Sequence, residues 1–264
     1  MIDWSHWHNE PYLIGGLILM TWCYAVATGP LRHRLAPGAA YPRWQAWCFY
    51  GAVVLFYLAV GSPLDQVGER FLFSAHMVQH QILMYPAAIL WVIGMPSWLV
   101  DTLATRARIR RLGYVLTRPL VAGLIFVVTQ SIWHAPALYD WALQNRFVHV
   151  LEHVTFFASS VLYWWPVASS STVWPSVRHP VQMLYLLAVV IGMTPLAAFI
   201  TFSDEILYPT YEFAPRLIDS FGPADDQLLA GVFMKIGGLL VTFIAFAVVF
   251  YRWYQHSERR PQRA

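Results

Sequence analysis

Lysine is almost missing from this chain. Of its 17 basic residues only Lys235 is a lysine, and it sits inside an apolar stretch. The arginines are scattered over short connecting segments and the C-terminal tail, so they build no continuous basic face. That excludes nucleic-acid binding through phosphate contacts, which needs clustered cations. Charge of either sign is scarce, at 12% of residues, whereas soluble domains carry about a quarter. An ordinary water-soluble domain is therefore excluded as well. Cysteine is limited to Cys23 and Cys48, which lie in separate apolar stretches and form no CxxC pair. A thiolate metal motif, a disulfide and a covalent CxxCH haem attachment all drop out, and both cysteines are expected buried as small apolar residues. Met1 to Glu10 holds Asp3 and Glu10 but no Arg or Lys, so a cleavable signal is not expected there.

What remains is apolar surface. Hydrophobic residues make up 58% of the chain and the mean hydropathy is +0.49. Seven apolar stretches run near 12–30, 44–61, 72–93, 119–137, 148–168, 181–202 and 228–251. Each has the ~20 residues a helix needs to cross ~30 Å of hydrocarbon, and lipid leaves helix as the only way to satisfy the backbone of a single span. The expected fold is all-α, a single polytopic membrane domain over 1–264 with about seven transmembrane helices. Pro30, Pro63, Pro96, Pro136 and Pro166 fall at or just past span ends, Pro119 at a start, and Pro86 and Pro195 inside spans, where they should kink them. With the N-terminus outside, the segments 31–43, 94–118, 169–180 and the tail after 252 hold thirteen arginines, and the other side holds Arg70, Arg146 and Arg216. That imbalance follows the positive-inside rule. The longest loop, 203–227, carries Tyr208, Pro209, Tyr211, Phe213 and Pro215 and is expected to pack on the outer face.

Seven of the ten histidines fall on the outer side: His6, His8, His76, His80, His134, His149 and His153. His33, His179 and His256 lie in inner segments without such company. His76 and His80 are four residues apart and share one helical face, which Met84 continues; His149 and His153 repeat the spacing with Glu152 between them. At ~1.5 Å per residue, His76 and His80 lie roughly 7 to 14 Å into the third span. Ordinary roles exist for each residue alone. A lone intramembrane histidine such as His134 can bond a neighbouring helix, His6 and His8 can be solvated, and Met77, Met84, Met193 and Met234 can fill the core. Trp133, Tyr139, Trp141, Trp164 and Trp165 fit interfacial anchors. Two histidine pairs converging at one depth point instead to a metal or haem site, because ionisable groups in a span are costly and imidazole suits copper, zinc and iron. Lys235 lies near Asp225, Asp226 and Glu152 in depth, and an ion pair is expected for it.

The motifs resemble a known family. Ser62-Pro63-Leu64-Asp65 followed by His76-Met77-Val78-Gln79-His80 is similar to the third-helix signature of the CtaG family, the assembly factors of caa-type cytochrome c oxidase in bacterial membranes. Trp133-His134-Ala135-Pro136, Tyr139-Asp140, His149-Val150-Leu151-Glu152-His153 and Tyr163-Trp164-Trp165-Pro166 follow in the family's order, then Tyr208-Pro209, Asp226-Gln227, Ala230-Gly231 and Met234. The resemblance spans about residues 60 to 240 and departs at Lys235, where an aromatic residue is expected. It implies a seven-helix protein that supports copper delivery to, or maturation of, the oxidase copper centre, with His76, His80, His134, His149 and His153 as metal residues and Glu152 and Met234 as further members.

The expectation is a Cu(I)-holding site open to the outer side of the bacterial inner membrane, with His76, His80, His149 and His153 around the ion. Glu152 would orient an imidazole, and His6, His8 or Met84 would act in ion transfer. Few acids are expected near it. The partners are then cytochrome c oxidase subunits, periplasmic copper donors and the lipid bilayer, and no catalytic turnover is required. Two alternatives stand beside it: a zinc hydrolase using His149-x-x-Glu152-His153 in HxxEH order, and a membrane cytochrome holding haem b between histidines of two helices.

Overall fold

Apolar runs that must satisfy their own backbone become helices, and the computed structural model, which describes residues 4–5 and 7–258, has no strand among them. In chain order the helices are α1 (Pro11–Thr28), α2 (Arg32–Leu35), α3 (Arg43–Gly61), α4 (Pro63–Arg70) and α5 (Phe73–Ile82). A π-helical turn, Leu83–Ala87, joins α5 to α6 (Ala88–Gly94). Next come α7 (Ser97–Leu103), α8 (Ala107–Leu116), α9 (Pro119–Trp133), α10 (Pro136–Gln144) and α11 (Arg146–Ala168). The last are α12 (His179–Gly192), α13 (Thr194–Thr201), α14 (Pro209–Glu212) and α15 (Pro223–Glu258). Asp3, His6, Arg259, Arg260 and Arg263, to which the sequence assigns a side of the membrane or a transfer role, lie outside the described residues.

Helices occupy all seven stretches expected as spans. Five of them are long and apolar enough to cross a membrane: α1, α3, the continuous Phe73–Gly94, His179–Thr201 and α15. A sixth is reached if α8 and α9, bent by 70° at their junction, count as one. Although α11 has 23 residues, its first turns carry Arg146, His149, Glu152 and His153, which lowers its apolar character. These helices mark a membrane protein. Pro86 lies in the π-helical turn, where a missing N–H is absorbed, and Pro195 follows the break between α12 and α13.

Packing differs sharply between helices. Only Tyr24 and Thr28 of α1 are buried, which leaves much of its apolar surface uncovered by the rest of the protein. This corrects one expectation: Cys48 is buried, but Cys23 on α1 is exposed, and both are free thiols. The main core joins α9, α11, α12 and the π-helical turn through Phe126, Phe156, Tyr163, Trp164, Leu186 and Met84. The loop 203–227 folds over the bundle as expected, with Tyr208 and Tyr211 buried, though Phe213 stays 82% exposed.

One contact sets the position of α5. No residue of its own sequence caps its N-terminus. Asp226 reaches across from the first turn of α15, accepting from Phe73 N–H at 2.6 Å and Ser74 N–H at 3.0 Å. A carboxylate on free N–H groups at the positive end of a helix is a favourable cap.

At the far end of the bundle Asp101 clasps the loop after α11, accepting from Ser171 Oγ, Thr172 Oγ1 and the N–H groups of Thr172 and Val173. Burial pushes this carboxyl up, but those donors outweigh it and hold it below its ordinary value of 3.8. A depressed value in the fold means that the stabilisation is present above the unfolded value and lost as pH falls through the folded one. The clasp is therefore expected to persist through pH 5 and open only below 3.8. Amide exchange at Thr172 and Val173 checks this; opening at pH 5 to 6 would contradict it.

Candidate metal centre

Three helices bring the histidines together. α5 carries His76 and His80 one turn apart, α11 carries His149 and His153, and His134 caps the C-terminus of α9. All five and Glu152 are buried. Ring centroids lie 4.3 Å apart for His76 and His80, 4.2 Å for His149 and His153, and 5.7 and 6.0 Å from His76 to His149 and His153. Two ligand groups containing His76 form, each with one donor atom per residue and all atoms within 4.8 Å. One is His76, His149 and His153; the other is His76, His80 and Glu152. His76 belongs to both.

The outer hydrogen bonds decide which nitrogen of each ring faces inward. The Gly68 carbonyl can only accept, so the Tyr211 hydroxyl donates to it at 2.7 Å. The Tyr211 oxygen must then accept from His76 Nδ1–H at 3.1 Å and from the Tyr139 hydroxyl at 3.0 Å. His134 Nδ1–H donates to the Gln130 carbonyl at 2.8 Å, and His149 Nδ1–H to Glu69 Oε1 at 2.8 Å. In all three rings the proton sits on Nδ1, and Nε2 is the nitrogen left for a ligand. Metal-binding histidines are commonly oriented through such outer partners. His134 Nε2 faces Met77 Sδ at 3.5 Å, and His76 Nε2 lies 2.8 Å from His80 Nε2.

Several buried atoms in this cluster have no hydrogen-bond partner: His149 Nε2, His153 Nε2, His80 Nδ1 and both carboxyl oxygens of Glu152. Each unsatisfied buried polar atom costs about 1–3 kcal/mol. A cation coordinated by these lone pairs would remove that cost, so the residues present fit a metal ion.

The short helix α4 frames the outer rim. A side chain at Gly68 would place its Cβ 3.0 Å from His76 Cα, so glycine permits the close approach of α4 to α5. Asp65 accepts from His8 Nδ1 and from Gln79 Nε2, each at 2.5 Å. The His8 imidazole is raised above 6.5, chiefly by its bond to Asp65. Burial raises the Asp65 carboxyl, with the His8 bond opposing. Burial also pushes Glu69 up, but the bond to His149 and the charges of His149, His8 and Arg70 leave it below the ordinary carboxylate range. A cavity of about 1160 Å³ opens between α1, α3 and α11, lined by His8, Asp65, Glu69, His149 and His153 at its polar end and by Leu17, Val53, Phe56 and Phe157 elsewhere.

The family model of the cytochrome c oxidase caa3 assembly factor matches residues 22–256. The chain belongs to this family. Neither the curated proteins nor the solved structures compared with it contain a match. Membership ties this assembly factor to the maturation of cytochrome c oxidase and implies association with that enzyme.

In the assembly factor, five of the eight residues singled out as metal residues, His76, His80, His149, His153 and Glu152, meet in the two groups. His134 stands beside His80, with ring centroids 5.9 Å apart. Met84 and Met234 instead line a separate small cavity with Gln81 and Lys235. The methionine that reaches a histidine is Met77. Lys235 makes no ion pair among the described residues; its Nζ donates to Thr194 Oγ1 at 2.6 Å. His179 and His256 do have company, with their rings 5.6 Å apart. The acids expected to be few include Asp65 and Glu69 at the rim. Glu69 and Tyr211 escape sequence reading as site residues because each reaches a histidine from a distant segment.

Proposed function

We propose that this oxidase assembly factor holds a Cu(I) ion among His76, His149 and His153 for delivery to, or maturation of, the oxidase copper centre. The observation that carries the reading is the pair of buried, unpartnered Nε2 atoms of His149 and His153, on two residues that share a group with His76 whose donor atoms, one from each residue, lie within 4.8 Å of one another. Imidazole nitrogens with a thioether nearby suit Cu(I). His80 and Glu152 supply the adjoining donors, with Glu152 Oε1 3.7 Å from His80 Nε2. Movement of the ion needs only ligand exchange, so no catalytic turnover is invoked. Seven spans with the N-terminus outside would turn the cavity mouth to the periplasmic side of the bacterial inner membrane, where a copper donor can reach it.

Metal analysis with an optical spectrum, on the wild type beside His80→Ala/His153→Ala, tests this. Near-stoichiometric copper in the wild type, lost in the variant and without a Soret band, supports it. Zinc would favour a hydrolase using His149, Glu152 and His153; a Soret band would favour a cytochrome. An ion-free protein after reconstitution with Cu(I) would sink all three.

Tyr211→Phe removes the acceptor for His76 Nδ1–H while keeping the ring that packs on Phe73, 5.3 Å between centroids. Loss of such an outer partner typically costs 10–100-fold in metal affinity. Cu(I) competition titration is expected to show a loss in that range, and an unchanged affinity would remove Tyr211 from the site.

A further inference from the structure

His149 presents its two nitrogens to two different sets of ligands. Nε2 faces inward without a partner, whereas Nδ1 meets Glu69 Oε1 at 2.8 Å. On that outer side, donor atoms of Asp65, Glu69 and His149 all lie within 4.8 Å of one another. The three residues line the 1160 Å³ cavity, and so does His8, which caps Asp65 at 2.5 Å. We propose a second metal station at the polar end of this cavity, formed by Asp65, Glu69 and Nδ1 of His149, for a divalent ion such as Cu(II) or Zn(II). It rests on the copper reading only in sharing His149.

The chemistry of the two stations differs. Two carboxylates and one imidazole are harder ligands than the nitrogen-rich inner set, and carboxylate favours the higher charge of a divalent ion. Two carboxylates placed side by side repel each other, with Asp65 4% and Glu69 25% exposed in their side chains. The hydrogen bonds from His8 Nδ1 to Asp65 and from His149 Nδ1 to Glu69 soften that repulsion. A bound ion takes the place of the Nδ1 proton of His149, which leaves through the cavity. Nε2 takes up a proton from water, so the ring stays neutral in its other tautomer, and an ion at the outer station and an ion in the inner cluster compete for one imidazole. The station would therefore capture an ion at the polar end of the cavity without filling the inner cluster.

The test is titration of the purified full-length protein in nanodiscs with Cu(II), read by electron paramagnetic resonance, with Cu(I) affinity measured in parallel. Mixed oxygen and nitrogen ligation is expected in the wild type and in His76→Ala/His80→Ala. Asp65→Asn should lose the mixed signal and bind Cu(II) at least tenfold more weakly, with Cu(I) affinity unchanged, and Asp65→Glu should restore the signal. A nitrogen-only spectrum in the wild type, or a mixed signal that survives Asp65→Asn, would overturn the outer station and leave the inner reading standing. Loss in Asp65→Asn without rescue in Asp65→Glu would also overturn it. Cu(I) binding untouched by His76→Ala/His80→Ala, beside a persistent mixed signal, would sink the inner reading alone.

Discussion

His76→Ala is expected to weaken Cu(I) binding by about 100- to 1,000-fold. Structural zinc sites with four ligands bind with roughly 10–16 kcal/mol, or about 2.5–4 kcal/mol for each ligand. At 1.4 kcal/mol for each factor of ten, one lost ligand costs two to three decades. His76 carries this weight because it is the residue common to both ligand groups. The variant should still fold, since Tyr211 keeps its bond to the Gly68 carbonyl and its contact with Tyr139. His134→Ala provides the comparison: His134 belongs to neither group and is bonded to Gln130 and Met77. Its loss should cost less than tenfold. Equal losses in the two variants would mean that the histidines act as one packed cluster rather than as ligands with distinct positions.

Asp226→Ala is expected to be the most damaging single change to the fold near the site. Both carboxyl oxygens accept from backbone N–H groups at the start of α5, and the residue is 2% exposed. Alanine leaves two buried donors without partners. Hydrogen bonds to charged groups contribute about 1.5–3 kcal/mol each, which places the loss at about 3–6 kcal/mol. The helix that starts there carries His76 one turn later, so Cu(I) affinity should fall with stability. Thermal unfolding in detergent checks the first part and Cu(I) titration the second. A melting temperature within a degree or two of the wild type would show that water or another donor set satisfies those N–H groups.

The residues legible in advance were those whose partners are close in sequence. His76 with His80, and His149 with His153, are neighbours by helix geometry alone, because residues four apart share a face. Lys235 shows the limit of such reasoning. Its depth matched several acids, but depth is one coordinate, and rotation about α15 turned it toward Thr194 instead. Cys23 was misjudged for a related reason, since apolar sequence cannot tell a face packed on protein from one left to lipid. Met84 and Met234 had plausible depth as well, yet they face Lys235 and Gln81, and Met77 is the one turned to His134.

Composition by itself determined the class: apolar runs of span length, scarce charge and almost no lysine admit a helical membrane protein and exclude a soluble or nucleic-acid-binding one. The order of the histidine motifs likewise carried the family. For His76 and His149 tertiary structure alone decided which nitrogen faces inward, because that depends on acceptors more than fifty residues away in the chain, whereas His134 finds Gln130 on its own helix. Gly68 and Tyr211 set His76, and Glu69 sets His149, through hydrogen bonds that exist only after α4 and the loop 203–227 fold over the bundle. Helical periodicity places side chains on a face; only the packing of distant segments gives each side chain its partner.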